Sequence, residues 1–173
     1  MSTDKILATV DDEAYDIRIA RDGTWFYHGS PIGRIALVKL FASVLRRDET
    51  GDFWLITPAE RGRITVEDAP FIAVEVKIEG QGDKQALSFR TNLDDWVTAG
   101  PDHPIRIAAD ALSGAATPYI LIRSGLDARI SRAVFYELAA LAVERPSPLG
   151  SELGIWSNRT FFPLGTTKPE RSA

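Results

Sequence analysis

The chain has 173 residues, 45% hydrophobic and 25% charged, an ordinary globular profile with room for one good core or two small subdomains sharing an interface. Its net charge of −4 argues against generic nucleic-acid binding, which draws on an excess of Lys and Arg. The absence of cysteine excludes disulfides, thiolate zinc sites, Cys nucleophiles and thiol redox sensing by this chain, and two histidines argue against a His-rich metal site.

Residues 1–14 carry acids and only a short apolar run, and read as loosely docked chain rather than a signal peptide. Residues 15–20 alternate as a strand, with Tyr15, Ile17 and Ile19 on one face. Asp22-Gly23 is a hairpin signal, and 24–27 is the partner strand, leading through His28-Gly29 into the strongest helix pattern of the chain. That pattern runs over 30–47, SPIGRIALVKLFASVLRR. Ser30 fits the N-cap and Pro31 the first helical position. Apolar residues from Ile32 to Leu45 cover most of the circumference, as in a helix buried on several sides. Arg46 and Arg47 suit the negative end of its dipole.

Residues 52–57 and 63–66 read as strands, followed by turns at Thr57-Pro58-Ala59-Glu60 and Glu67-Asp68-Ala69-Pro70 respectively. Over 71–79, Ile72, Val74, Val76 and Ile78 alternate with Ala73, Glu75, Lys77 and Glu79, the pattern of a half-exposed antiparallel strand. Gly80-Gln81-Gly82-Asp83 turns it and 85–91 returns. A loop over 93–104 is expected to pack through Trp96 and Val97. Strands at 105–109 and 119–123 flank a loop of small residues, 110–118. A second helix is predicted over 128–145, stopped by Pro146 and Pro148. Residues 153–157 and 160–164 pair over Asn158-Arg159, and 166–173 is a polar tail. The longest apolar run is broken by Lys39 and is too short to span a bilayer, so a cytoplasmic location without membrane contact is expected.

The second helix resembles the first. Ile32-Gly33-Arg34 aligns with Ile130-Ser131-Arg132, and the same offset pairs Leu40 with Leu138 and Leu45 with Val143. Each helix follows a strand and precedes one carrying Trp54 or Trp156, so a strand–helix–strand unit is read twice. The expected class is α+β: two similar halves, 12–70 and 71–173, with mostly antiparallel sheets. Duplication creates an interface between like halves, a common place for ligands.

No phosphate-binding loop, HExxH, nucleophile elbow or calcium loop is present. Gly80-Gln81-Gly82 lies in a hairpin, not between a strand and a helix. Ser30 beside His28 is read as a cap rather than a nucleophile, and His103 before Pro104 as a loop residue. Glu60, Glu67 and Asp68 cluster around two turns, where capping explains them and a metal or acid–base site is the alternative. The arginines are more informative: Arg34 and Arg132 occupy matching places in the first turns of the two helices, and Arg123 ends the apolar strand PYILIR. Ion pairs are one reading. The other is an anion site, in which guanidinium groups and free helix-terminal amides meet phosphate or carboxylate.

The segments GTWFYHGSPIGRIALVKLFASVLRRDETGDFWLITPAERGRITVEDAPF, 23–71, and PYILIRSGLDARISRAVFYELAALA, 118–142, resemble the bacterial domain-of-unknown-function family 1285, with TP-x-E and V-E-D-A-P-F the more specific runs. The resemblance implies a duplicated core, a C-terminal half superficially like pleckstrin-homology folds, and a nucleotide-like ligand between the halves. It also implies a role in signal transduction under oxidative stress. The leading expectation is a small-molecule-binding sensor with Arg34, Thr57, Glu60, Asp68, Arg123 and Arg132 around the site, no metal, and no assigned cofactor or catalytic residue. A protein–protein adaptor, offering strand edges or an aromatic patch at Trp156, Phe161 and Phe162, is the alternative. An enzyme using the Glu60 and Asp68 carboxylates is a third reading, which requires a pocket where they converge.

Overall fold

A computed structural model describes residues 13–110 and 113–167. The segment expected to be loosely docked lies outside the described residues up to residue 12, as does the tail from 168. The chain divides into two units, Met1–Pro70 with Ser124–Leu126, and Phe71–Arg123 with Asp127–Ala173.

In the first unit, strands β1 (Glu13–Ile19), β2 (Trp25–Tyr27) and β3 (Ser30–Pro31) precede helix α1 (Ile35–Ser43). Strands β4 (Leu45–Arg47), β5 (Phe53–Ile56) and β6 (Arg61–Val66) follow it. They form one six-stranded sheet in the order β3-β2-β1-β6-β5-β4, antiparallel except where β1 runs parallel to β6. The expected alternation at 15–20 holds for the core side, where Ile17 and Ile19 are buried. Gly62 on β6 leaves room for the ring of Tyr15, since a Cβ there would fall inside the contact distance of three ring carbons.

The long helix predicted over 30–47 is an error of extent. His28 and Gly29 take φ of 48° and 78° and turn β2 into β3, so Ser30 and Pro31 are strand residues. The N-cap is Arg34, with no side-chain cap bond, and the helix stops at Val44, φ −107° and ψ 8°. Leu45, Arg46 and Arg47 then pair with Leu55, Trp54 and Phe53. Nor is α1 buried all round: Val38 and Ala42 are buried, whereas Ile35 and Leu40 are 53% and 61% exposed.

The β4–β5 loop is organised by Asp48. Its Oδ1 accepts from the Thr50 amide and hydroxyl and the Asp52 amide, and its Oδ2 accepts from Trp54 Nε1 at 2.8 Å. Four donors on one carboxylate favour its charged form, led by the Thr50 hydroxyl and the Trp54 indole, and lower its pKa to about 2.

In the second unit, β7 (Phe71–Glu79), a 3₁₀ turn at Gly82–Lys84, β8 (Ala86–Thr91) and β9 (Trp96–Thr98) form one meander. A second consists of β10 (Ile105–Ala109), β11 (Ala116–Arg123) and β12 (Leu126–Ile130). The sheet order is β10-β11-β12-β7-β8-β9, with β12 parallel to β7. Helix α2 (Arg132–Ala139) packs on β7, and β13 (Val143–Ser147), β14 (Gly150–Ser157) and β15 (Thr160–Thr167) form a separate antiparallel sheet. Ser157, fully buried, ties that sheet to the larger one: its Oγ accepts from the Leu87 amide at 2.9 Å and donates to the Ala99 carbonyl at 2.8 Å.

The second helix is likewise shorter than the 128–145 expected. Leu126, Ala128 and Ile130 are buried at alternate positions on β12, and Ser131 Oγ caps α2 by accepting from the Val134 amide at 3.3 Å. Strand β7 departs from its expected alternation: Phe71, Ile72 and Ala73 are all buried, the register shifts between Ala73 and Glu75, and Val74 and Ile78 are exposed. In the 93–104 segment Leu93 and Ala99 carry the packing, while Trp96 is exposed on the added strand β9.

Each half repeats a helix followed by a three-stranded antiparallel meander, β4 to β6 after α1 and β13 to β15 after α2. A second likeness lies in the six-stranded sheets. Numbering each from its own first strand, both read 3-2-1-6-5-4, two meanders joined by a parallel contact between first and sixth strands. Among the described residues no helix is long and apolar enough to cross a membrane.

Candidate functional site

The six residues expected around a ligand divide between the units. Arg34, Thr57, Glu60 and Asp68 belong to the first, Arg123 and Arg132 to the second. Thr57 and Glu60 come together, but in a turn: Thr57 Oγ1 accepts from the Glu60 amide and donates to its carbonyl, both at 3.1 Å. Arg34 and Arg132 are exposed at the starts of α1 and α2. The Arg123 guanidinium lies 5.8 Å from the centre of the Phe71 ring. Asp68 is half-buried in the segment after β6.

Glu67, beside Asp68, has a local task. It accepts from the Arg21 amide at 2.9 Å and pairs with Arg18 at 2.6 Å, and these two, the amide first, hold its carboxyl below the usual range. The histidines are accounted for: His28 Nδ1 meets Asp16 at 3.0 Å, and His103 Nδ1 meets the Leu121 carbonyl at 2.9 Å. Among the described residues no group of three or more His, Asp or Glu is placed to hold a metal ion.

Two concave sites stand out, one within each unit, and none of the six residues lines either. In the second unit a half-open cavity of about 270 Å³ is lined by Ile78, Leu141, Val143 and Trp156, with Gly80, Gln81, Gly82 and Gln85 supplying its polar side. Gln85 is 6% exposed, and its Nε2 donates to the Trp156 carbonyl at 2.8 Å. A carbonyl only accepts, so the amide is held in one orientation, leaving Oε1 as the acceptor. The Trp156 ring is braced at its edge by Phe161, ring centres 5.2 Å apart. Arg145 stacks on Phe161 at 4.0 Å and is held by Glu152 at 3.0 Å. The lining thus combines an aromatic residue, apolar side chains and a glutamine amide of fixed orientation, and contains no charged residue.

In the first unit a half-open cavity of about 290 Å³ is lined by Tyr27, Ser30, Pro31, Ile32, Leu37 and Phe41. Leu37 and Phe41 are one helical turn apart on α1, and Phe41 stacks on the buried Trp25 at 6.3 Å. The aromatic patch expected at Trp156, Phe161 and Phe162 does not form as an exposed surface, because Phe162 is buried and Trp156 lines the second-unit cavity.

Sequence reasoning missed Gln85. A glutamine before a strand carries no signal of its own, and its partner Trp156 lies 71 positions away. The Gly80-Gln81-Gly82 turn was visible, and it is a hairpin turn as expected, yet its place at a cavity mouth depends on β13 and β14.

Residues 9–69 match the family model "Domain of unknown function (DUF1285), N-terminal domain", and residues 70–164 match "Protein of unknown function (DUF1285), C-terminal domain". Among curated proteins there is no match. The crystal structure of a DUF1285 family protein from Silicibacter pomeroyi DSS-3 is similar, with 47% identity over 90% of this chain and 82% of that one and a TM-score of 0.84. A DUF1285 family protein from Shewanella baltica OS155 is similar at 26% identity over 71% of this chain and 89% of that one, with a TM-score of 0.56.

Proposed function

The chain belongs to the DUF1285 family, and from that premise we propose that it is a small-molecule-binding protein with a role in signal transduction. The ligand we assign to the second-unit cavity is a planar heterocycle with an N–H donor, of the nucleobase kind. The observation that carries this reading is Gln85: a side chain 6% exposed, its amide orientation fixed by the Trp156 carbonyl so that Oε1 is left as an acceptor, in the lining of a cavity to which Trp156 also belongs. Ring stacking and a single oriented hydrogen bond suit a flat polar-edged molecule. No cation stands in the lining, so a phosphate tail finds no partner there and adds little to affinity. The pleckstrin-homology likeness belongs to the same proposal. It is supported by strands β7 to β12 followed by a helix packed on β7, and the three strands after α2 depart from it.

The test is thermal unfolding with a panel of nucleosides and their monophosphates. A ligand at a hundred times its dissociation constant adds about 2.7 kcal/mol. We expect at least one nucleoside to stabilise as well as its phosphate, with the effect abolished in Gln85→Leu and Trp156→Leu. No stabilisation by any member, or stabilisation unchanged in both variants, overturns the proposal.

A further inference from the structure

Trp156 has a polar group besides its ring. The tryptophans of this chain differ in what their indole N–H meets. Trp54 Nε1 donates to Asp48 at 2.8 Å. Trp25 Nε1 has no acceptor and is sealed in the core. Trp156 Nε1 also finds no acceptor among the described residues, but Trp156 is half-buried and its Nε1 is not sealed off. An open, unmatched N–H on a residue that lines a cavity is a donor available to whatever enters.

Both polar groups are held before any ligand arrives. Phe161 meets the Trp156 ring edge-on, with 67° between the planes. Phe161 in turn lies tight over Gly154, where a Cβ would come within 2.6 Å of its Cζ. The Gln85 amide N–H donates to the Gly82 carbonyl at 3.2 Å, and its carbonyl accepts from the Asn158 amide at 2.9 Å. Its Nε2 donates to the Trp156 carbonyl, while its Oε1 has no donor among the described residues and is not sealed off either. The open acceptor and the open donor therefore belong to two residues bonded to each other. Groups fixed in advance lose little freedom when a ligand engages them.

Resting on the assignment of a planar heterocycle to this cavity, we propose that Trp156 Nε1–H is its second polar contact, so that the ligand carries an acceptor as well as the N–H that meets Gln85. The class narrows to neutral rings bearing both groups, as on an amide or amidine edge. Neutrality follows from the lining, which has no charged residue to offset an ion taken out of water. A ring with a donor alone leaves the indole N–H unmet once water is displaced. A ring with acceptors alone leaves Oε1 unmet. Each omission costs about tenfold in affinity. Trp156 is thereby a specificity-determining residue whose ring and N–H have separable tasks.

The experiment is isothermal titration of the full-length chain with uracil and adenine, compared with two probes. Indole has a ring donor and no ring acceptor, and dimethyluracil, with both ring nitrogens methylated, has acceptors alone. We expect uracil or adenine to bind about tenfold or more tightly than either probe. Trp156→Phe keeps an aromatic ring and removes the N–H, and it should weaken the base about tenfold more than it weakens indole. Gln85→Leu should remove the advantage of the base over dimethyluracil. The comparison of probes uses the parent chain alone and stands should Trp156→Phe misfold. Bases that bind in a Gln85-dependent way and lose no more than indole in Trp156→Phe overturn this proposal and leave the heterocycle assignment intact. Indole binding as tightly as the bases does the same. Dimethyluracil binding as tightly as the bases, or no binding by any of the four compounds, overturns both.

Discussion

Replacing Gln85 probes the fixed amide without any ligand. In Gln85→Leu the Trp156 carbonyl loses the donor of a part-buried hydrogen bond, Gln85 itself being 6% exposed. A deprived acceptor costs about 1–3 kcal/mol when fully buried, so the loss here is expected toward the lower end, about 1 kcal/mol, which for a chain of this size lowers the melting temperature by roughly 2–4 °C. Gln85→Glu carries the sharper test. As a carboxylate it faces the Trp156 carbonyl oxygen with a second acceptor and brings charge into the site, so at neutral pH it should cost at least as much as leucine. As a carboxylic acid it can donate where Nε2 donated. Burial and the facing carbonyl raise its folded pKa above the unfolded value of about 4.3. Stability relative to the parent is therefore fully recovered below that value and is lost as pH rises through the raised folded pKa. Urea denaturation followed by tryptophan fluorescence at several pH values, with Gln85→Leu as the pH-insensitive control, reads this directly. A Gln85→Leu midpoint equal to the parent, or a Gln85→Glu deficit that does not change with pH, would refute the assigned orientation.

Three further outcomes are expected. Gly62→Ala should destabilise by about 1–3 kcal/mol in urea, because the new methyl meets the Tyr15 ring; in a Tyr15→Ala background the same change should be neutral or stabilising, and an equal cost in both would refute the close-approach account. Asp48, with its pKa lowered to about 2, contributes stability that is present above its unfolded value and is lost as pH falls through 2. Asp48→Asn should flatten the acid limb of a pH titration of stability between about 4 and 2 and shift Trp54 emission, and an unchanged acid limb counts against it. Ser131→Ala should cost about 0.5–2 kcal/mol through loss of the α2 cap, while Ser30→Ala should stay within about 0.5 kcal/mol, so the reverse order in thermal melts would restore Ser30 as the cap.

Most strands could be read in the sequence because their signals are local. The Asn158-Arg159 turn, with φ of 49° and 60°, joins β14 to β15 as the pattern predicts, and the strand at Ile105–Ala109 falls where expected. The helices were legible in existence and not in length. Leu45 looks like the last apolar residue of a helix, yet pairing with Leu55 across the sheet decides its conformation. Leu126, Asp127, Ala128, Arg129 and Ile130 show period-two alternation that a helical run absorbs when it is read on into α2. Arg34 was singled out from the Ile-x-Arg repeat, and it is the exposed N-cap of α1 and lines neither cavity. Gln85 and Trp156 were invisible as a pair, because their relation is made by β14 crossing β8 and no local pattern records it.

The parallel contact between the first and sixth strands has a cost in time. Glu13 lies opposite Gly62, and Phe71 opposite Ala128, so the central pairing of each sheet joins residues about fifty to sixty positions apart. Hairpins such as β14–β15 close in microseconds, but this contact must wait for a long loop to close, which places refolding toward the slow end for a chain of this size. During synthesis, β1 emerges first and lacks its β6 neighbour until some fifty more residues have followed, and β7 waits as long for β12. Each leading strand is for that interval an open edge, available to any other extended chain. The hazard to yield lies in the incomplete chain, and slower synthesis at low temperature lengthens the exposure even as it weakens hydrophobic association.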